Sequence, residues 1–289
     1  MQNDIAQQIT DRIIAELEAG AAPWVKPWRA DSTADKSIVT GKAYQGINRL
    51  LLAMSSMAGG FSSPYWATFK QWTDRGAHVK KGSKGTQIIF YSPLQKTVTD
   101  QVTGEAEEVS YAVLKAFYVF NADQVEGAEV PASAPVSTVF DDHDDAESFI
   151  AGTGARISHG GDAAFYVPSQ DRIQLPHKSA FTDPASYYAT AFHELTHWTG
   201  HDSRTDRKLS GKFASPSYAF EELVAELGAA FLCQDHGIAG ELRHAGYIGS
   251  WLKACKEDKR AIFRAAGLAQ KAVDYMKACQ QAQGLKAAA

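Results

Sequence analysis

Along the first twenty residues apolar side chains recur every three or four positions, at Ile5, Ile9, Ile13 with Ile14, and Leu17. That spacing is one buried face of a helix, and Gly20 closes the run. A turn-rich aromatic stretch follows. Asn48 is then placed to cap a second apolar run that Gly59 and Gly60 end. The pattern next shortens its period. TQIIFY at 86–91 reads as a buried strand, and 94–99 and 106–120 read as a hairpin around Thr103-Gly104, dense in β-branched and aromatic residues. FYVPSQDRIQLP, ending at residue 176, alternates as a strand should. Asp183-Pro184 opens a helix with proline at its first position, which runs through HELTHW to Gly200. A second strong helix is expected over 217–234, and the remainder to about residue 280 is helical.

Between these halves lies EGAEVPASAPVSTVFDDHDDAESFI (126–150), with seven acidic residues, two prolines and no lysine or arginine. Its first part reads as a linker. Its second part begins a helix whose acids suit the N-terminal dipole. The expected organisation is α+β with two domains: 1–127, a linker over 128–140, and 141–289. At 289 residues each half is long enough to bury a core. Three cysteines with no C-x-x-C argue against a disulfide framework and for a reducing, cytoplasmic compartment. The amphipathic, charged N-terminal stretch is unlike a secretory signal, and no apolar run approaches the roughly 18 residues of a membrane span.

The chemistry concentrates at residues 193–202, HELTHWTGHD. H-E-x-x-H on a helix sets His193 and His197 on one face, where both imidazoles reach one ion. Glu194 stands beside it as a candidate general base. A catalytic zinc needs a third protein ligand. In the metzincin pattern that ligand would fall at residue 203, which is serine, so that arrangement fails. His201 and Asp202 follow Gly200 too closely to replace it and read as loop or rim residues. The remaining source is EELVAE (221–226), on a helix that is otherwise mostly apolar. Gluzincins carry a ligand acid there and a supporting acid four residues on. Glu222 fits the third ligand and Glu226 the supporting position. Glu221 and Glu226 stay open as alternative ligands, since spacing alone makes the choice. The ion expected is Zn2+, with another divalent transition metal such as Mn2+ compatible. DRIQLP (171–176) is the candidate edge strand for a peptide substrate. No two-metal carboxylate set accompanies the histidines, which disfavours a nuclease.

Net charge is -4, yet residues 22–98 hold eleven lysines and arginines against three aspartates, a local excess of +8. Aromatic residues crowd the same stretch. Cations interleaved with rings suit single-stranded nucleic acid, because phosphates meet charge and unpaired bases stack. The candidates are Lys26, Trp28, Arg29, Lys42, Tyr44, Arg49, Trp66, Lys70, Lys80, Lys81 and Lys84. HVKKGSKGTQ is a basic glycine-containing loop without P-loop spacing, so nucleotide hydrolysis is not implied. The competing expectation is a set of tryptophans in the core and lysines on a solvated face.

WVKPW (24–28), GKAYQGIN (41–48), PYWATFKQ (64–71) and GAHVKKGSKG (76–85), followed by HELTHWTGH (193–201) and EELVAE (221–226), together resemble ArdC-type antirestriction proteins of conjugative plasmids. The resemblance covers nearly the whole chain, with the acidic linker matched least. It implies an N-terminal single-stranded-DNA-binding domain of weak sequence preference, joined to a zincin-like (gluzincin) metallopeptidase domain. It further implies protection of incoming plasmid DNA from restriction, in the cytoplasm of the host or recipient cell. The sequence presents the apparatus of a zinc-dependent metallopeptidase and names no peptide or protein substrate. Against this stands a non-catalytic DNA-binding protein whose zincin domain is a metal-stabilised scaffold.

Overall fold

The spacing of Ile9, Ile13 and Leu17 becomes the buried face of helix α1 (Ile5–Glu18), and these three side chains lose nearly all contact with water. Against expectation for an N-terminal domain, the surface they meet belongs to the far end of the chain. In the computed structural model, which describes residues 4–18, 34–99, 106–131, 143–181, 183–207, 215–238 and 248–287, α1 packs on helix α7 (Ile248–Glu257). Thr10 donates to the carbonyl of Lys259 at 2.7 Å, and Lys256 pairs with Glu18 and Lys259 with Asp4 at the rim. Trp28, Lys26, Arg29, the Thr103-Gly104 turn and most of the acidic linker lie outside the described residues.

The N-terminal sheet has the order β1-β2-β5-β4, from β1 (Lys36–Ser37), β2 (Tyr65–Thr68), β4 (Thr86–Thr99) and β5 (Ala106–Asn121). β1 runs parallel to β2, and the other neighbours are antiparallel. The two segments expected at 86–91 and 94–99 form one strand that passes through Pro93. An edge strand tolerates this because a missing N–H costs no ladder bond there. Helix α2 (Ile47–Gly59) lies along that edge. Asn48 is inside α2 rather than capping it. Its side chain accepts from the N–H of Ile89 and donates to the carbonyl of Ile89, both at 2.8 Å, and so satisfies an open position of β4. Helix α3 (Phe69–Asp74), closed by a Thr68/Gln71 capping box, covers the other face together with the small pair β3 (His78–Val79) and β6 (Val125–Glu126).

In the C-terminal half α4 (Asp144–Thr153) carries Asp144, Asp145 and Glu147 in its first turn. A three-stranded sheet follows in the order β7-β9-β8, from β7 (Arg156–His159), β8 (Phe165–Val167) and β9 (Arg172–Leu175). DRIQLP, expected at an edge, is therefore the central strand, bonded to β7 on one side and β8 on the other. Alternation shows that a strand is half-buried but not which neighbours it has. Helices α5 (Pro184–Thr199), α6 (Pro216–His236) and α8 (Ala261–Ala287) complete the core. Asp183 and Ser215 cap α5 and α6, each followed by proline at the first turn. Among the described residues no helix is long and apolar enough to cross a membrane.

Two of the residues nominated for DNA belong to the interior. Arg49 is 2 % exposed and donates to Asp235 (2.7 Å), to Gln234 (2.9 Å) and to the carbonyl of Phe231 (2.6 Å), with its guanidinium 4.6 Å from the Phe231 ring centre. Trp66 is fully buried, and its indole N–H donates to Asp35 at 2.7 Å. Gln234 reaches the same Asp35 at 3.4 Å, so one polar network ties the N-terminal sheet and α2 to the C-terminal end of α6. Removing one partner of a buried ion pair strands the other. Arg49→Ala should therefore lower the unfolding free energy by about 3–5 kcal/mol in a denaturant titration. An arginine that met DNA at the surface would leave stability unchanged.

Candidate metal centre

Helices α5 and α6 meet along buried faces, with His197 opposite Glu221 and His193 opposite Glu226, so the two run in opposite directions. Gly228 permits the close approach: a Cβ there would lie 2.5 Å from the buried Thr196 side chain. The two Nε2 atoms are 3.1 Å apart, and each lies 3.5 Å from a different oxygen of Glu222. Ligand atoms about 2 Å from a tetrahedral ion sit roughly 3.3 Å from one another. The donor set of His193, His197 and Glu222, all within 4.8 Å of one another, thus has the size and chemistry for a divalent transition metal.

Outside this triplet the remaining acids have separate tasks. Glu226, fully buried on the next turn, lies 4.0 Å from His193 Nδ1. Glu221 lies 3.3 Å from His197 Nδ1 and is itself gripped by Arg207, which donates to it at 2.8 and 3.1 Å. Arg207 is fixed in turn by the Thr196 carbonyl (2.6 Å) and the Thr199 hydroxyl (2.8 Å). A carboxylate on the far nitrogen of a ligand histidine sets its tautomer and raises its basicity. Glu221 therefore stands behind His197 rather than in the donor set. Arg207 was not among the expected residues, because it comes from the loop after α5, where there is no periodicity to read. His201 turns away to Ser203 (2.8 Å) and Asp202 (2.7 Å), as loop residues do.

Burial opposes charge on both rings, with different outcomes. For His193 burial, reinforced by the field of His197, outweighs the hydrogen bond to Glu222 and holds the ring below the usual histidine value. For His197 burial is outweighed by the hydrogen bonds its ring donates to Glu221 and Glu222 and by the field of Glu194, which raise it to about 10. Burial would raise Glu222, but both imidazoles hold it well below the usual carboxylate range. Metal ligation needs both rings neutral, so binding must expel the His197 proton. Below pH 10 metal affinity should fall as pH falls, by up to about tenfold per unit for the one proton exchanged. Calorimetric titration in buffers of different ionisation enthalpy at pH 7 should show about one proton released. No release would mean that His197 enters the site already neutral.

A cleft of about 330 Å³ opens on the donor set, walled by β8 residues Phe165 and Tyr166, by Pro168, and by Tyr218 one turn before Glu222. Glu194 lines it as well, at the mouth of the two histidines. Among the described residues β8 has a strand partner on one side only, so the strand edge beside this cleft is β8 and not β9. Its position is held by Arg204, which donates to Tyr166 Oη (3.0 Å), to Asp171 (3.1 Å) and to the Trp198 carbonyl at the end of α5 (2.7 Å). Asp171 makes the β8–β9 turn in the left-handed region (φ 45).

The other nominated residues separate by place. Lys42, Lys70, Lys80, Lys81 and Lys84 are exposed. Tyr44 is half-buried against the Trp66 cluster, where burial and then Asp35 push its phenol up to about 12.

A histidine pair one helical turn apart, a carboxylate from the next helix and a strand edge over the cleft define a zincin-like domain. Family profiles agree: residues 144–268 match the zincin-like metallopeptidase domain, and residues 3–120 match the N-terminal domain of the anti-restriction factor ArdC. Two crystal structures of the antirestriction protein ArdC from plasmid R388, one metal-free and one Mn(II)-bound, superpose with TM-scores of 0.80 and 0.77. They are 40% and 39% identical and cover 96% of this chain and 98% of theirs. An uncharacterised protein, y4eC, of Sinorhizobium fredii is 39% identical over 96% of this chain and 92% of its own length. A DNA primase TraC of Escherichia coli is 42% identical over 96% of this chain, which spans only 27% of that protein. The chain belongs to the ArdC antirestriction family, with an α+β architecture of an ArdC-type N-terminal domain and a zincin-like C-terminal domain.

Proposed function

We propose that this chain protects plasmid DNA entering a restricting recipient cell. In this reading it binds single-stranded DNA through its N-terminal half and acts on a peptide or protein at a divalent-metal centre, within the cytoplasm of host or recipient. The observation that carries the reading is the donor set of His193, His197 and Glu222 in an open cleft with Glu194 and the free β8 edge beside it. The Mn(II)-bound relative supports a divalent ion. Zn2+ fits the same ligands by donor chemistry.

The chain's own residues supply most of the steps. The backbone of β8 offers unpaired N–H and C=O groups that align an extended peptide antiparallel to it. When bound, the ion supplies Lewis acidity toward the scissile carbonyl. Glu194 takes the proton of the attacking water and returns it to the leaving amine. Glu221, locked by Arg207, keeps the His197 ring oriented throughout.

The test is mating of an unmodified plasmid into a recipient with an active restriction enzyme. The wild-type gene should raise transconjugant recovery, and His193→Ala and Glu194→Ala should each return it to the level without the gene. Full protection by Glu194→Ala would leave the centre a scaffold and reject the acid–base role.

A further inference from the structure

The cations and rings nominated from the sequence do not all share one surface. Side chains alternate across β5, so Phe117 and Val119 project from one face of the N-terminal sheet and Tyr118 and Phe120 from the other. On the first face a groove of about 680 Å³ contains Lys42, Tyr44, Phe90 and Phe117. On the second face Phe69 (59 % exposed) meets Phe120 edge-on at 6.3 Å, and Tyr118 is 58 % exposed. Gly85, the last residue of the KKGSKG loop, lies against this row: a Cβ added to it would be 3.1 Å from both Tyr118 and Phe120. The loop's lysines therefore border the aromatic row.

Resting on the DNA-binding reading above, we infer that the row Phe69–Phe120–Tyr118 is the platform on which unpaired bases stack, with Lys70, Lys81 and Lys84 taking the flanking phosphates. Two observations favour this face over the groove. First, Lys70, Lys81 and Lys84 are exposed, and among the described residues none has an acidic partner. Lys80 is already committed to the Asp123 carbonyl at 2.9 Å and braces the loop. The groove side carries two such lysines rather than three, Lys42 at its rim and Lys115 on the same strand face, beside the edge-on pair Phe90 and Phe117. Second, Thr68 and Gln71 in the groove wall are spent on each other in the α3 cap, and Tyr44 is packed into the core cluster below. Large rings left in water beside unpaired cations match a polymer of flat bases and phosphates. An acidic peptide would use the lysines and leave the rings idle.

The experiment is fluorescence anisotropy of the full chain with a labelled oligo-dT across a salt series. Phe69→Ala with Tyr118→Ala should weaken binding by at least about tenfold, from the loss of stacking. Tyr118→Phe should keep wild-type affinity. Lys81→Ser with Lys84→Ser should reduce the slope of log affinity against log salt by about 1.4. Phe90→Ala with Phe117→Ala should leave binding unchanged. Wild-type binding that resists the Phe69/Tyr118 pair, or that falls with the Phe90/Phe117 pair instead, overturns the platform while leaving DNA binding intact. Absence of salt-sensitive binding by the wild type removes both. Photocrosslinking of iodouracil-substituted oligonucleotide to the unmutated protein is independent of variant folding: crosslinks at Tyr118 or Phe69 support the platform, and crosslinks only at Phe90, Phe117 or Tyr44 reject it.

Discussion

Glu222→Ala is expected to eliminate divalent-metal binding at micromolar metal, measured by calorimetry or by metal analysis after dialysis. Glu221→Ala should cost only about 10–100-fold in affinity, the usual effect of losing a group that orients a ligand. The difference follows from position. Both Glu222 oxygens face the ion-sized gap between the imidazoles, one toward each Nε2, whereas Glu221 meets His197 from behind and is neutralised by Arg207. Taking Glu222 away removes a donor and the negative charge that offsets a cation in a buried site. If Glu226→Ala lost the metal while Glu222→Ala kept it, the ligand would move one turn along α6.

Glu194→Ala carries the second large effect. Metal and oligonucleotide should both still bind, since Glu194 is outside the donor set and belongs to the C-terminal helix pair rather than the basic loop. Any peptide hydrolysis by the purified protein should fall by about 10²–10⁴, the contribution of a positioned general base. The measurement is cleavage of a fluorogenic peptide library by metal-loaded protein. Cleavage retained at wild-type rate would place the proton transfer on another residue.

The metal centre was legible where helix geometry does the positioning. Residues four apart share a helical face, which is enough to pair His193 with His197 and to nominate Glu222 and Glu226 together. Geometry along one helix cannot say which acid faces the partner helix; the crossing of α5 and α6 sets Glu222 3.5 Å from both Nε2 atoms and Glu226 4.0 Å from His193 Nδ1. The rim of the cleft was misread for a related reason. DRIQLP and FYV both alternate, and sheet order is set by pairings that alternation does not record. Arg49 and Trp66 were misread because composition cannot show a partner distant in sequence. Asp235 lies 186 residues beyond Arg49, and Asp35 meets Trp66 across the sheet. The nominated lysines within the described residues are exposed where Arg49 and Trp66 are not, since a lysine with no partner stays in water while the other two readily find buried ones.

The docking of α1 on α7 has a consequence for how such chains can be cut and joined. A fragment ending near residue 120 would leave Ile9, Ile13 and Leu17 without their cover, and one starting near residue 144 would bare the complementary face of α7. The segments 3–120 and 144–268 that match the two family models are thus joined by the α1–α7 contact. Neither fragment keeps both sides of that contact, so each should expose an apolar face that the whole chain buries.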